Sequence, residues 1–277
     1  MHVESRPRVS FQRTELTYYA LSLVMFVAAA TATLYFKYSM SGGMPMVGGW
    51  MMSMMWMPMG GIVSSAALFT LMWLAMMVAM MLPSAMPMLL LYRRVMSFRA
   101  ANNDAERETH ASQSRMVAVS TLAVVSGYFF IWTLFGLVAY AIGSFIARGA
   151  MHWDAFSRAL PMAGGIALCM AGIYQLTPWK STCLAHCRDP LSVVAGHLQA
   201  GRFGALKLGI HHGAFCAACC WALMVIQLVL GVMNLAAMAA VALVIALEKL
   251  LPRGEWVARI TGGAAILGGL VIAARAV

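Results

Sequence analysis

Three cysteines fall within five residues, Cys216, Cys219 and Cys220, in the segment GIHHGAFCAACCW, where the histidine pair His211 and His212 precedes them. Thiolates and imidazoles are the donors that suit Cu(I), zinc and iron–sulfur clusters. At 100° per residue, with His212 as origin, Cys216 falls at about 40°, Cys219 at about −20° and Cys220 at about 80°. All four therefore share one helix face. Ionisable groups inside a membrane helix are costly and usually functional, so packing is a poor explanation for this cluster. A second cluster, TPWKSTCLAHCRDP, carries Cys183, His186 and Cys187. These are either metal ligands or a thiol redox pair. The remaining cysteine, Cys169, reads as a small packing residue.

Methionine is the compositional anomaly. Of 26 residues, nine lie between Met40 and Met59, in MSGGMPMVGGWMMSMMWMPM, including Met51, Met52, Met54, Met55, Met57 and Met59. A thioether is a soft ligand that selects Cu(I), and it cannot be captured in a disulfide in an oxidising compartment. Other apolar residues would fill space in such a Gly- and Pro-broken loop equally well, so the loop reads as a copper-capturing surface. Seven more methionines follow, among them Met76, Met77, Met80 and Met81. Trp73, Met77 and Met81 recur at four-residue spacing, as do Met72, Met76 and Met80, giving one broad thioether face. Packing explains that face as well as ligation does. Pro83 and Pro87 are expected to interrupt the helix there, and Trp50 and Trp56 to anchor at the membrane interface.

The elements that position these residues follow from composition. The chain has 277 residues, 62% hydrophobic and 10% charged, with mean hydropathy +0.80. That excludes an ordinary soluble enzyme, and equally a disordered chain. A span needs about 20 apolar residues, and seven apolar runs read as the membrane helices: Leu16 to Phe36, Ile62 to Tyr92, Met116 to Ala147, Leu160 to Leu176, Leu206 to Leu230, Met233 to Leu247 and Val257 to Val277. The expected fold is an all-α polytopic transmembrane helical bundle, with the fifth and sixth spans the hardest to separate. Its net charge of +10 resides between the apolar runs, which points to topology signals and anionic lipid, with no nucleic-acid partner.

Fifteen of the 19 Lys and Arg fall on one side by loop counting, while Lys37, Arg148, Arg158 and Arg275 fall on the other. The positive-inside rule then places the N-terminus in the cytoplasm. The expected organisation is a cytoplasmic tail over 1–15 and one transmembrane domain over 16–277. Within that domain lie an outer Met-rich loop (38–61), a cytoplasmic loop (93–115), and a cytoplasmic Cys/His loop with an interfacial helix (177–205). Asp189 and Pro190 suit N-cap and N1 of that short helix, expected to end near Gly201 with Leu191, Val194, Ala195 and Leu198 on one face. His197 reads as an exposed polar residue. Cys183 and Cys187 meet the second cluster only if their loop folds back toward the bundle. Glu248 reads as an inner gate, a partner for Lys207, or one of two interfacial charges with Lys249.

The segments WLAMMVAMMLPS (73–84), YQLTPWKSTCLAHCRDP (174–190), CAACCWALM (216–224), GVMN (231–234) and EKL (248–250) resemble a bacterial family of predicted metal-binding integral membrane proteins. The resemblance covers roughly residues 60 to 255 and implies a copper-chaperone role, supplying partner copper enzymes from the bacterial inner membrane. Two positions depart from the family pattern, Ala218 where a Gly is usual and Ala237 where an aromatic is usual. No G-x-x-x-x-G-K motif is present, so the chain alone is no ATP-driven pump. The leading reading is a copper-binding membrane protein that transfers or inserts Cu(I) rather than an enzyme. The competing readings are a membrane thiol-disulfide oxidoreductase and a structural subunit of a larger membrane complex.

Overall fold

A computed structural model describes residues 6–39, 42–57, 61–103, 110–196 and 202–276. Among these it is almost entirely helical: α1 (Arg6–Ser39), α2 (Ile62–Asn103), α3 (His110–His152), α4 (Asp154–Gln175), α5 (Pro178–Arg188), α6 (Pro190–Gly196), α7 (Arg202–Leu230), α8 (Leu235–Leu250) and α9 (Gly254–Arg275). Six of these are long and apolar enough to cross a membrane: α2, α3, α4, α7, α9 and the part of α1 from Leu16. Their outer faces carry large exposed apolar side chains, such as Leu23 and Val27 on α1, Phe130 and Phe145 on α3, Ile166 and Met170 on α4, and Leu267 and Val271 on α9. A belt of this extent has no place against water and matches hydrocarbon.

The expected sixth run is a separate helix, α8, of only 16 residues. Gly231, at φ +108°, ends α7, and the Asn234 side chain caps α8 by accepting from the N–H groups of Ala236 and Ala237. The GVMN segment is thus a helix stop followed by a helix start.

Three expected loops are folded differently. The stretch 93–115 is helix up to Asn103 and again from His110, and α1 already begins at Arg6 within the expected tail. Residues 43–53 form a hairpin, β1 (Gly43–Pro45) against β2 (Met51–Ser53), closed by a turn through Gly48 and Gly49 at positive φ and followed by a 3-10 turn at Met54–Trp56. The hairpin is docked: Trp50 Nε1 donates to the Ser157 carbonyl at 3.1 Å, and the Ser157 hydroxyl donates to Val47 O at 2.6 Å. Neither tryptophan stands alone as an anchor, because Trp56 packs on Phe69 with ring centroids 5.3 Å apart.

The third is the expected Cys/His loop, which is two helices. Thr177 caps α5 by accepting from Lys180 N–H, with Pro178 in the first turn. Asp189 accepts from Ser192 N–H and the α6 helix follows; these bonds hold the Asp189 carboxyl below its usual range. In α6 the buried side chains are Val193 and Val194, whereas Leu191 and Ala195 are exposed, so of the expected face Val194 packs into the bundle and Val193 joins it in place of Leu191 and Ala195. Leu198, His197 and Gly201 lie outside the described residues.

α2 continues as one helix through Pro83 and Pro87, with the Ser84 hydroxyl donating to Met81 O at 2.9 Å. Its methionine face is core: Met72, Met76, Met77, Met80 and Met81 are all buried. α3 and α7 approach very closely. A Cβ on Gly209 would meet the Val124 carbonyl, and one on Gly127 the Leu206 carbonyl, so only hydrogen at these positions admits the contact. That contact sets the depth at which α7 presents its cysteines.

Candidate metal centre

Cys216, Cys219, Cys220 and His212 are all buried on the inward face of α7, as the helical spacing implies. Cys219 Sγ stands 3.3 Å from Cys220 Sγ and donates to Cys216 O at 3.2 Å. The α5 helix brings the first cluster to the second, with Cys187 Sγ 3.7 Å from Cys219 Sγ. Cys183, one turn earlier on α5, packs partly buried against the same core. All six cysteines are free thiols, and Cys169 lies apart, half-buried and reaching the Ile266 carbonyl on α9 at 3.6 Å.

The histidines divide into two places. His211 meets His186 of α5 with ring centroids 5.3 Å apart, and Phe215 lies against both. His212 instead stacks on Tyr128 of α3 at 5.8 Å, and the Tyr128 hydroxyl contacts Cys216 Sγ at 3.0 Å. His212 Nδ1 and His186 Nε2 are buried without a hydrogen-bond partner. A buried imidazole nitrogen with nothing to bond is costly, and a soft ion is one species that would satisfy it. Among the described residues, no three His, Cys, Asp or Glu side chains converge as a ready-made coordination shell.

Two lysines turn inward toward the sulfurs, and neither is among the candidate site residues read from the sequence. Lys249 Nζ, from the end of α8, lies 2.9 Å from Cys216 Sγ and 3.5 Å from Ser84 Oγ of α2. Lys180 Nζ, from α5, donates to Cys219 O at 2.5 Å and pairs with Glu248 at 2.6 Å, both side chains being 1% exposed. Gln175 Nε2 donates to the other Glu248 oxygen at 3.2 Å. Glu248 is therefore neither a partner of Lys207 nor an interfacial charge. It neutralises the lysine that clamps α5 onto α7. The Tyr174 hydroxyl donates to Ala218 O at 2.7 Å and adds to that clamp. The available signals were the adjacency of Glu248 and Lys249 and the Lys inside TPWKSTC; nothing in the sequence marked Tyr128.

Ser84 lies 22 residues beyond Ile62, which at 1.5 Å per residue is about 33 Å along α2 from the hairpin end. Cys216 lies 14 residues from the start of α7 at Arg202, about 21 Å and close to the middle of that helix, and α5 roofs the thiols. Arg188 secures that roof through bonds to Leu251 O at 2.6 Å and Pro252 O at 2.8 Å. A cavity of about 240 Å³ lined by Gln175, Thr177, Lys180, Glu255 and Arg259 reaches the Lys180 clamp from outside.

At the hairpin end the loop methionines divide by burial. Met52 and Met55 are core, Met51 is 63% exposed, and Met54 and Met57 are half-buried. Met59 lies outside the described residues. Met54, Met55 and Met57 line a cavity of about 280 Å³ with Ser39, Leu68 and Phe69. Between this cavity and the thiols run the buried methionines of α2.

The fold and this interior define an all-α polytopic protein with a sulfur-rich core. The family model described as PpoB2, copper chaperone, matches residues 70–272, and the chain belongs to that family. No curated protein and no solved structure matches it.

Proposed function

We propose that this chain is an integral membrane Cu(I) chaperone that delivers the ion to a partner copper protein, with Cys216, Cys219, Cys220 and Cys187 as its principal ligands. The observation that carries this reading is the 3.7 Å approach of Cys187 to Cys219, which joins two cysteine clusters distant in sequence inside a copper-chaperone family member. Soft thiolates favour Cu(I) over harder ions. His212, His211, His186 and Cys183 are the nearby candidates for a transient second site, since the unpartnered His212 and His186 nitrogens lie in the same interior. The thioethers of Met54, Met55 and Met57 give an entry cavity, with Met51 and Met52 beside it on the hairpin and Met59 in the same run. Met76, Met77, Met80 and Met81 line the way inward. The positive-charge count supports a periplasmic hairpin in a bacterial inner membrane.

Purified, reduced protein should bind Cu(I) stoichiometrically. The Cys216→Ser, Cys219→Ser double variant should lose most of it while keeping its helicity and elution position. Unchanged copper in that variant would overturn the assignment. A disulfide that cycles with turnover and no bound metal would favour thiol exchange instead.

A further inference from the structure

We infer that Lys249 is the built-in counter-ion of the loaded site: its ammonium neutralises the single negative charge of a monovalent ion held by two thiolates. This inference rests on the copper reading above and extends it to a residue that no ligand assignment includes.

The argument is one of charge conservation in an apolar interior. The thiols lie in the same core as Leu223, Met224, Leu208 and the α2 residues Met76, Met77, Met80 and Met81, all buried, and an uncompensated charge there is strongly disfavoured. With two of the four cysteines bound as thiolates at a time and the other two kept as neutral thiols, the two thiolates and one monovalent cation sum to minus one. The other nearby charges do not offset this, because Lys180 and Glu248 already neutralise each other at 2.6 Å. The groups that face Lys249 are neutral or sulfur: Ser84 from α2 at 3.5 Å, Cys216 from α7 at 2.9 Å, and Tyr128 from α3, which shares that sulfur. Among the described residues, no carboxylate lies within ion-pairing distance of the Lys249 ammonium. Its positive charge therefore falls most directly on the Cys216 sulfur, 2.9 Å away. A divalent ion bound by the same two thiolates is neutral by itself, and Lys249 would then leave a net positive charge in the core. The ammonium accordingly favours a monovalent ion over a divalent one of the same geometry.

Ag(I) and Hg(II) make the comparison, since both accept two sulfurs in a line and differ by one charge. Wild-type protein, Lys249→Met, Lys249→Gln and Lys249→Arg are each reduced, purified in detergent and challenged with one equivalent of an equimolar Ag(I) and Hg(II) mixture in a competing thiol buffer. Removing the charge should lower the retained Ag(I) to Hg(II) ratio by about tenfold or more in both neutral variants, and Arg should keep it close to wild type. The Gln variant keeps a polar side chain at this position, so the measurement stands even where Met disturbs folding. A ratio unchanged in the neutral variants overturns the inference, and so does an equal fall in the Arg variant, which would mean that shape and not charge decides. Wild-type protein that retains neither Ag(I) nor Cu(I) overturns the copper reading itself, a result distinct from an unchanged ratio.

Discussion

Cys187 on α5 and Cys219 on α7 bring their sulfurs within 3.7 Å although 32 positions separate them in sequence. Their meeting depends on a short helix that turns back into the bundle, where Lys180, Tyr174 and Arg188 fasten it. The interior thiols are thereby closed on one side by an element that carries a ligand of its own.

Mild oxidation should therefore cross-link Cys187 to Cys219. Diamide treatment followed by peptide mass spectrometry should recover that pair, and Cys187→Ser should abolish it. Prior loading with Cu(I) should protect both thiols. Recovery of Cys183 bonded to Cys219 in preference would mean that α5 sits one turn away from the position described here.

Glu248 stabilises the fold by neutralising Lys180. Glu248→Gln leaves a buried ammonium without its counter-charge, and breaking a buried pair in this way costs about 3–5 kcal/mol. Thermal unfolding in detergent should show a large fall in Tm. Adding Lys180→Met to the same chain should recover much of it, and a double variant no more stable than the single one would contradict the pairing.

The loop methionines should separate into two behaviours. Converting exposed Met51 and half-buried Met54 and Met57 to Leu preserves approximate volume while removing the sulfur donors, so stability should be nearly unchanged. Copper loading should fall at limiting external copper and recover at high copper. Truncating buried Met52 or Met55 to Ala should instead cost about 2–5 kcal/mol through the cavity left behind. Equal loading by wild type and the triple Leu variant at limiting copper would exclude the loop from capture.

Topology can be read by labelling. Ser53 is unsuitable as a probe because its side chain caps the 3-10 turn, whereas Met51 on the same hairpin is exposed. Met51→Cys should react with an impermeant thiol reagent in whole cells, and Ser114→Cys, exposed near the start of α3, should react only after the membrane is opened. The opposite pattern would invert the orientation.

The long apolar helices and the common face of His212, Cys216, Cys219 and Cys220 were legible in sequence because both depend on local periodicity: about 20 apolar residues span hydrocarbon, and 100° per residue fixes a face. The same locality explains the GVMN segment, whose glycine and asparagine act through their own backbone. The company those cysteines keep was not legible. Lys180 and Lys249 look like interfacial charges to any count along the chain, and only the packing of α5 and α8 against α7 turns them toward the sulfurs. The methionines likewise carry no mark that separates exposed Met51 from buried Met52; the docking of Trp50 and Ser157 decides it. Periodicity is a property of neighbours in sequence. The charge and burial of a side chain belong to whatever distant segment comes to lie against it, and tertiary structure alone specifies that.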